Sequence, residues 1–210
     1  MRHAEQRFCN AVAVRKAVLA ICALALTAAV VAGIVQARDG EQAARPEEHE
    51  PLSLAQVSAP VDGAPPALAA LRRRVNELVP GGPAAFDAQL RELRGHPVVV
   101  NMWASWCDPC RFELPFLQRE AVRRGGEVAF LGVNVADDRA AAQRMAAQYP
   151  MPYPSFEDPR DRIFRRYNAR GLPATAFYDA RGKLVLVHQG VFSSQAKLAE
   201  AIDRYAVAGG

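Results

Sequence analysis

Residues 98–115 read VVVNMWASWCDPCRFELP, and the change of character at Cys107 decides the fold. Val98 to Trp103 is a short run rich in β-branched and aromatic residues, which predicts a buried central strand. From about Cys107 to Arg124 the pattern turns helical. A C-x-x-C pair, Cys107 and Cys110, therefore stands where a strand gives way to a helix. That position has a chemical meaning. The first cysteine meets the unpaired N–H groups and the positive end of the helix dipole, which favour an anion. Its thiol acidity rises, and Cys107 becomes a thiolate nucleophile. Cys110 lies one helical turn further on and more deeply. It can close a tight disulfide and release a partner from a mixed disulfide. Pro109 suits the first helical turn, where a missing N–H costs nothing.

Two other readings compete. Zinc binding needs a second pair of ligands. The remaining cysteines, Cys9 and Cys22, lie before and within an apolar run, and His96 and His188 stand isolated, so no four-ligand set is visible. A purely structural disulfide explains neither the strand-to-helix position nor the flanking Trp106.

Outward from this stretch the elements alternate. Upstream, Leu68, Leu71, Val75, Leu78 and Val79 recur at helical spacing and predict a helix over 67–79, broken by Gly81-Gly82-Pro83. A second helix is expected from about Ala84 to Arg94, with Gly95 as its terminator. Downstream, EVAFLGVNV (127–135) reads as a strand and Asp137 to Gln148 as a helix that Asp137 or Asp138 can cap. The proline-rich stretch 149–159 has room for a short strand only, and Arg160 to Tyr167 for a short helix. Thr175–Tyr178 and Lys183–His188 form a hairpin through Asp179-Ala180-Arg181-Gly182. Ser193 to Tyr205 closes the chain as an amphipathic helix capped by Ser193 or Ser194. The order predicts an α/β fold, a mixed central sheet with helices on both faces.

The N-terminal part is different in kind. Of 210 residues half are hydrophobic, and the formal net charge is +4. Residues 1–37 carry +3 of it, leaving 22 basic against 21 acidic residues in the body. A nearly neutral body has no nucleic-acid footprint, so no nucleic acid is expected as a partner. Ala17 to Ala37 is a run of 21 residues without a charge. As a helix it spans about 30 Å, enough to cross a bilayer core. Arg15-Lys16 before it places the 1–16 segment in the cytoplasm and the body outside, by the positive-inside rule. A cleavable signal peptide is the rival, since Val35-Gln36-Ala37 is an acceptable cleavage site, but the run exceeds the usual length of such a segment. Residues 38–66 hold five prolines and scattered acids, with His49 among them, and read as a flexible tether. The division expected is a cytoplasmic segment (1–16), an anchor (17–37), a tether (38–66), a helical lead-in (67–83) and a catalytic domain (84–210). Arg72-Arg73-Arg74 and Arg165-Arg166 read as solvated faces.

NMWASWCDPCRFELP resembles the active-site segment of thioredoxin-fold proteins, especially the membrane-tethered TlpA/ResA/CcmG-type thiol–disulfide oxidoreductases. Trp103, Ala104, Trp106, both cysteines and Pro115 carry the match, which extends from about Ala84 to Ala206. A second match is Gly171-Leu172-Pro173-Ala174-Thr175 before a strand. The resemblance implies a thioredoxin-like fold, a cis Pro173 facing the cysteines, and Trp106 shielding Cys107. It implies substrate contact at Trp106, Asp108, Pro109 and Leu172. It also implies a protein disulfide as substrate, an upstream membrane electron donor, and no cofactor or metal beyond the Cys107–Cys110 disulfide. Generic thioredoxins carry a buried aspartate six residues before the first cysteine; here Asn101 stands there and cannot accept a proton at neutral pH. Glu113 instead occupies a position that holds a functional glutamate in the ResA-like group, which implies a role in the protons of Cys110 or Cys107. The competing reading of Glu113 is an exposed helix acid paired with Arg111 or Arg123. The group's typical work is reduction of apocytochrome c cysteines or other exported disulfides. Arg111 follows Cys110, so no C-x-x-C-H haem motif is present. A binding module or metallochaperone on the same fold is the alternative from another class, although copper-delivery relatives generally use C-x-x-x-C. A peroxide-reducing relative is disfavoured by Asp108-Pro109-Cys110.

Overall fold

Every residue of β2 (Val98–Trp103) is buried. Its strand alternation explains why: Val98, Val100 and Met102 face one apolar cluster, Val99 and Trp103 another. The computed structural model describes residues 50–209; the expectations for 1–16, 17–37 and 38–49, with Cys9, Cys22 and His49, lie outside the described residues. Among the described residues no helix is long and apolar enough to cross a membrane.

Six strands form one mixed sheet: β1 (Leu78–Val79), β2, β3 (Ala129–Val135), β4 (Ser155–Asp158), β5 (Ala174–Tyr178) and β6 (Leu184–Gln189). Their spatial order is β1-β4-β3-β2-β5-β6. The first three pairings across this sheet are parallel; β2–β5 and β5–β6 are antiparallel. The helices are α1 (Leu54–Val57), α2 (Pro66–Arg72), α3 (Gly82–Glu92), α4 (Asp108–Arg124), α5 (Arg139–Gln148) and α6 (Gln195–Ala201), the last continuing as a π-helical turn over Ile202–Val207. Leu68, Leu71, Phe86 and Leu93 from α2 and α3 with its C-terminal cap cover one face. Leu114 and Leu117 of α4, Met145 of α5 and Leu198 of α6 cover the other. The expected thioredoxin-like α/β arrangement, helices on both sides of a mixed sheet, is what the chain forms.

Three expectations need correction. The helix predicted over 67–79 stops at Arg72, and Leu78–Val79 form the edge strand β1, parallel to Ser155–Phe156. Asn76 causes the break. It takes a left-handed backbone at φ 61°, its side-chain amide donates to the Ala146 carbonyl, and its side-chain oxygen accepts from the Met151 amide. Apolar spacing that suits one helix suits a helix, a turn and a strand equally well here. The tether expected over 38–66 is not loose in its described part. Val57 is wholly buried, and the Leu52 amide donates to the buried Gln118 side chain of α4 at 2.8 Å. Arg72, read from sequence as part of a solvated face, clamps this strap: its guanidinium donates to the carbonyls of Val57 (2.8 Å), Ala59 (3.1 Å) and Pro152 (2.9 Å). Arg74 is also engaged, with Glu77 and Gln89, and Arg165 and Arg166 pair with Asp161 and Asp87.

The core of the parallel half is tightest at Gly132. A methyl group there would lie 2.0 Å from Ser155 Oγ, which holds the buried Trp103 indole N–H at 3.1 Å. Gly132→Ala is expected to displace that contact and cost about 1–3 kcal/mol, the usual range for overpacking a filled core. Urea unfolding followed by Trp103 fluorescence measures it; an unchanged midpoint contradicts the argument.

Candidate active site

Cys107 is the N-cap of α4, with an extended backbone (φ −95°, ψ 96°) just before the first helical residue. Asp108 and Pro109 supply the first turn, and the helix runs on through Pro115. The two cysteines are joined as a disulfide, with Cα atoms 5.3 Å apart. Cys107 Sγ accepts the Cys110 amide N–H at 3.2 Å, so a helix-end donor points at the sulfur that would carry the thiolate. Cys110 is fully buried and Cys107 nearly so, at 4%. The depth difference expected from their spacing is present, though small.

The loop before Cys107 is fastened from three sides. The Ser105 amide and hydroxyl both donate to Asp137 at 2.6 Å, and the Asn134 side chain donates to the same carboxylate at 2.8 Å. Arg111 donates to the Ser105 carbonyl at 2.6 Å and pairs with Asp108 at 3.2 Å. The Trp106 indole donates to the Ala136 carbonyl at 3.2 Å while the residue remains 60% exposed. Asp138, not Asp137, caps α5. The clamp on Ser105 is a feature that sequence reading missed; an acid after a strand looks like any helix cap.

Glu113 is completely buried. The exposed-acid reading fails, because Arg111 pairs with Asp108 and Arg123 with Glu120. Its two oxygens find two donors instead: Asn101 Nδ2 at 3.3 Å and the Phe192 backbone amide at 3.0 Å. Burial pushes this carboxyl up from an ordinary 4.5 to about 8, and the two hydrogen bonds only partly offset that. Asn101 Oδ1 has no partner. With a proton on Glu113, an Asn101 amide turned end for end would accept from it, so the pair can satisfy either charge state. Neither donor was legible beforehand: Asn101 signalled only a missing aspartate, and a backbone amide 79 residues away leaves no mark in composition or spacing.

Pro173 is buried, and the Leu172–Pro173 bond is cis. Its carbonyl accepts the Gly190 amide at 3.0 Å. Leu172 is half-buried and packs against the cluster that contains both cysteines. Asp108 and Pro109 are exposed at the mouth of α4. Among the described residues no group of three His, Cys, Asp or Glu side chains could hold a metal ion.

The family model described as AhpC/TSA matches residues 84–187. The thiol:disulfide interchange protein DsbE of Pseudomonas fluorescens biotype C is 37% identical over 101 residues, 48% of this chain and 55% of that protein. The thiol-disulfide oxidoreductase ResA of Geobacillus kaustophilus is 27% identical over 110 residues, 52% of this chain and 63% of that protein. The chain thus spans less than two thirds of the length of these curated relatives. The solved structure of MTB dsbF in its mixed oxidised and reduced forms is 30% identical, with a TM-score of 0.51 over 54% of this chain and 84% of that one. With a disulfide at the head of α4, the family match over residues 84–187 and the likeness to dsbF, the chain belongs to the thioredoxin-like AhpC/TSA family.

Proposed function

We propose that the chain is a thiol–disulfide oxidoreductase that reduces protein disulfides outside the cytoplasm, with cytochrome c maturation as its setting. The observation that carries this reading is the Cys107–Cys110 disulfide at the N-terminus of α4 with the buried carboxyl of Glu113 one turn below. In the dithiol form the Cys107 thiolate attacks one sulfur of a substrate disulfide. The substrate S–S bond breaks, its other sulfur leaves and takes up a proton, and a mixed disulfide forms. Cys110 then loses its proton and attacks Cys107 Sγ, which frees the second substrate sulfur and restores the internal disulfide. Two electrons pass from the cysteine pair to the substrate, and a membrane electron donor returns them. The proton leaving Cys110 goes to Glu113 in its ionised form. A carboxyl near 8 is close to an ordinary thiol at about 8.5, so transfer in either direction costs little.

Exposed Trp106 and half-buried Leu172 offer apolar surface to the substrate, and Asp108 and Pro109 stand exposed between the two cysteines. The backbone around Leu172 and Pro173 offers an edge for an extended segment, a mode that suits a protein substrate. Asp108 stands exposed at the mouth of the pair, and its negative charge opposes a thiolate and makes the couple more reducing. The uncharged run 17–37 behind Arg15-Lys16 supports a single-pass anchor with the catalytic domain extracytoplasmic.

Cys110→Ser is expected to accumulate mixed disulfides on Cys107 in cells, identifiable by mass spectrometry, while Cys107→Ser accumulates none. A reduction potential as oxidising as about −120 mV would overturn the reductase direction. Glu113→Gln is expected to remove the limb near pH 8 from the pH profile of disulfide exchange. It should also change stability in a defined sense. The native carboxyl holds its proton up to about 8, whereas the unfolded one loses it near its ordinary value. The native state therefore binds more protons in between, and stability declines as pH rises through that window. In Glu113→Gln, denaturant midpoints should fall less over the same window; parallel curves would contradict the assignment.

A further inference from the structure

A groove of about 350 Å³ opens beside the C-terminal helix, lined among others by His188, Phe192, Lys197, Glu200 and Tyr205. It lies outside the machinery described above, yet one of its walls leads back to Glu113. The His188 ring stacks on Phe192 with centroids 4.0 Å apart and planes at 19°. Phe192 is 5% exposed, and its other ring contact is an edge onto Phe177 at 6.3 Å. The amide of the same Phe192 is the donor to Glu113 Oε2. His188 also hydrogen-bonds to the backbone of Val191, so both ring and polar atom bear on one short loop. That loop starts at Gly190, whose amide is tied to the Pro173 carbonyl. A second line of contact runs through the sheet. His188 is the cross-strand partner of Thr175, and Thr175 of Asn101, the other donor to Glu113. Directly opposed residues share a face, so all three stand on the α4 side of the sheet.

We propose that His188 is a positioning residue for Glu113: its stack on Phe192 fixes residues 190–193 so that the Phe192 amide reaches the buried carboxylate. This rests on the reading of Glu113 as the functional carboxyl of the site, but its test does not depend on turnover. A donor held in place favours the ionised carboxyl, and a donor that swings away releases it. The His188 ring is pushed down by burial, against the pull of the Val191 backbone, and stays neutral where Glu113 titrates. The charges facing His188 across the groove are Lys197, Glu200 and Arg204, with Arg204 tied to Glu200 at 2.8 Å; Tyr205 completes the titratable set, and all remain in the variants below.

The test is the Glu113 titration followed by carboxyl-carbon NMR in the oxidised full chain, purified in detergent, with Glu113→Gln identifying the resonance. In His188→Ala the acid constant of Glu113 is expected to weaken about tenfold, an upward move of about one pH unit, as a lost N–H donor to a carboxylate requires. In His188→Phe, which keeps a ring over Phe192, the midpoint is expected to stay within about a third of that shift. A His188→Ala titration superimposed on the parent, with the amide spectrum showing an intact fold, overturns the proposal. Equal shifts in the two variants overturn the stack as the link. Loss of the Glu113 role in exchange would show separately, as a Glu113→Gln pH profile identical to the parent.

Discussion

Glu113 keeps its carboxyl dry and hydrogen-bonded, and doing both requires three separate pieces of chain to meet. The carboxyl belongs to α4, one donor to β2 and the other to the loop after β6. A carboxyl without water is costly unless such donors are supplied. The central strand must therefore carry an amide at position 101 rather than another valine, and the last hairpin must end where Phe192 can turn its N–H inward. The same helix that carries Glu113 presents its own N-terminus to Cys107. Helix, strand and loop are held in a common register by one side chain, and the disulfide sits directly above it.

The site divides into an outer and an inner polar set. Outside, Asp137 gathers the Ser105 amide and hydroxyl, and Arg111 bridges Asp108 to the Ser105 carbonyl. These contacts set the path of the chain into Cys107 and leave Trp106 proud of the surface. Inside, Asn101, Glu113 and the Phe192 amide govern proton affinity. The outer set faces water, where a charge is screened and contributes modestly. The inner set is enclosed, so a single hydrogen bond moves an ionisation substantially.

What could be seen in the sequence followed from locality. The run Val98–Trp103, the cysteine spacing and Pro109 lie within a dozen residues, and their strand, cap and helix are written in neighbouring side chains. The hairpin over 179–182 was legible for the same reason. Leu78–Val79 were misread because apolar spacing does not distinguish a continuing helix from a turn into a strand; Asn76, with its partners at Ala146 and Met151, makes that difference from far away in sequence. Arg72 looked solvated because its three partners are backbone carbonyls, at the end of α1 and on two loops, which leave no side-chain signature. Glu113 was recognisable by its place after Cys110, whereas its donors depended on how β2 and the 190–193 loop close over it.

The strap at Leu52–Ala59 has a mechanical consequence. Leu52 is fastened to Gln118, eight residues beyond Cys110, which in an α-helix is about 12 Å along the axis. Val57 and Arg72 secure it again toward the C-terminal end of the same helix, where the Arg72 side chain lies against Gly125. The described chain ahead of Ala59 is therefore fastened to the shaft of this helix, while the cysteine pair sits at the helix's opposite end.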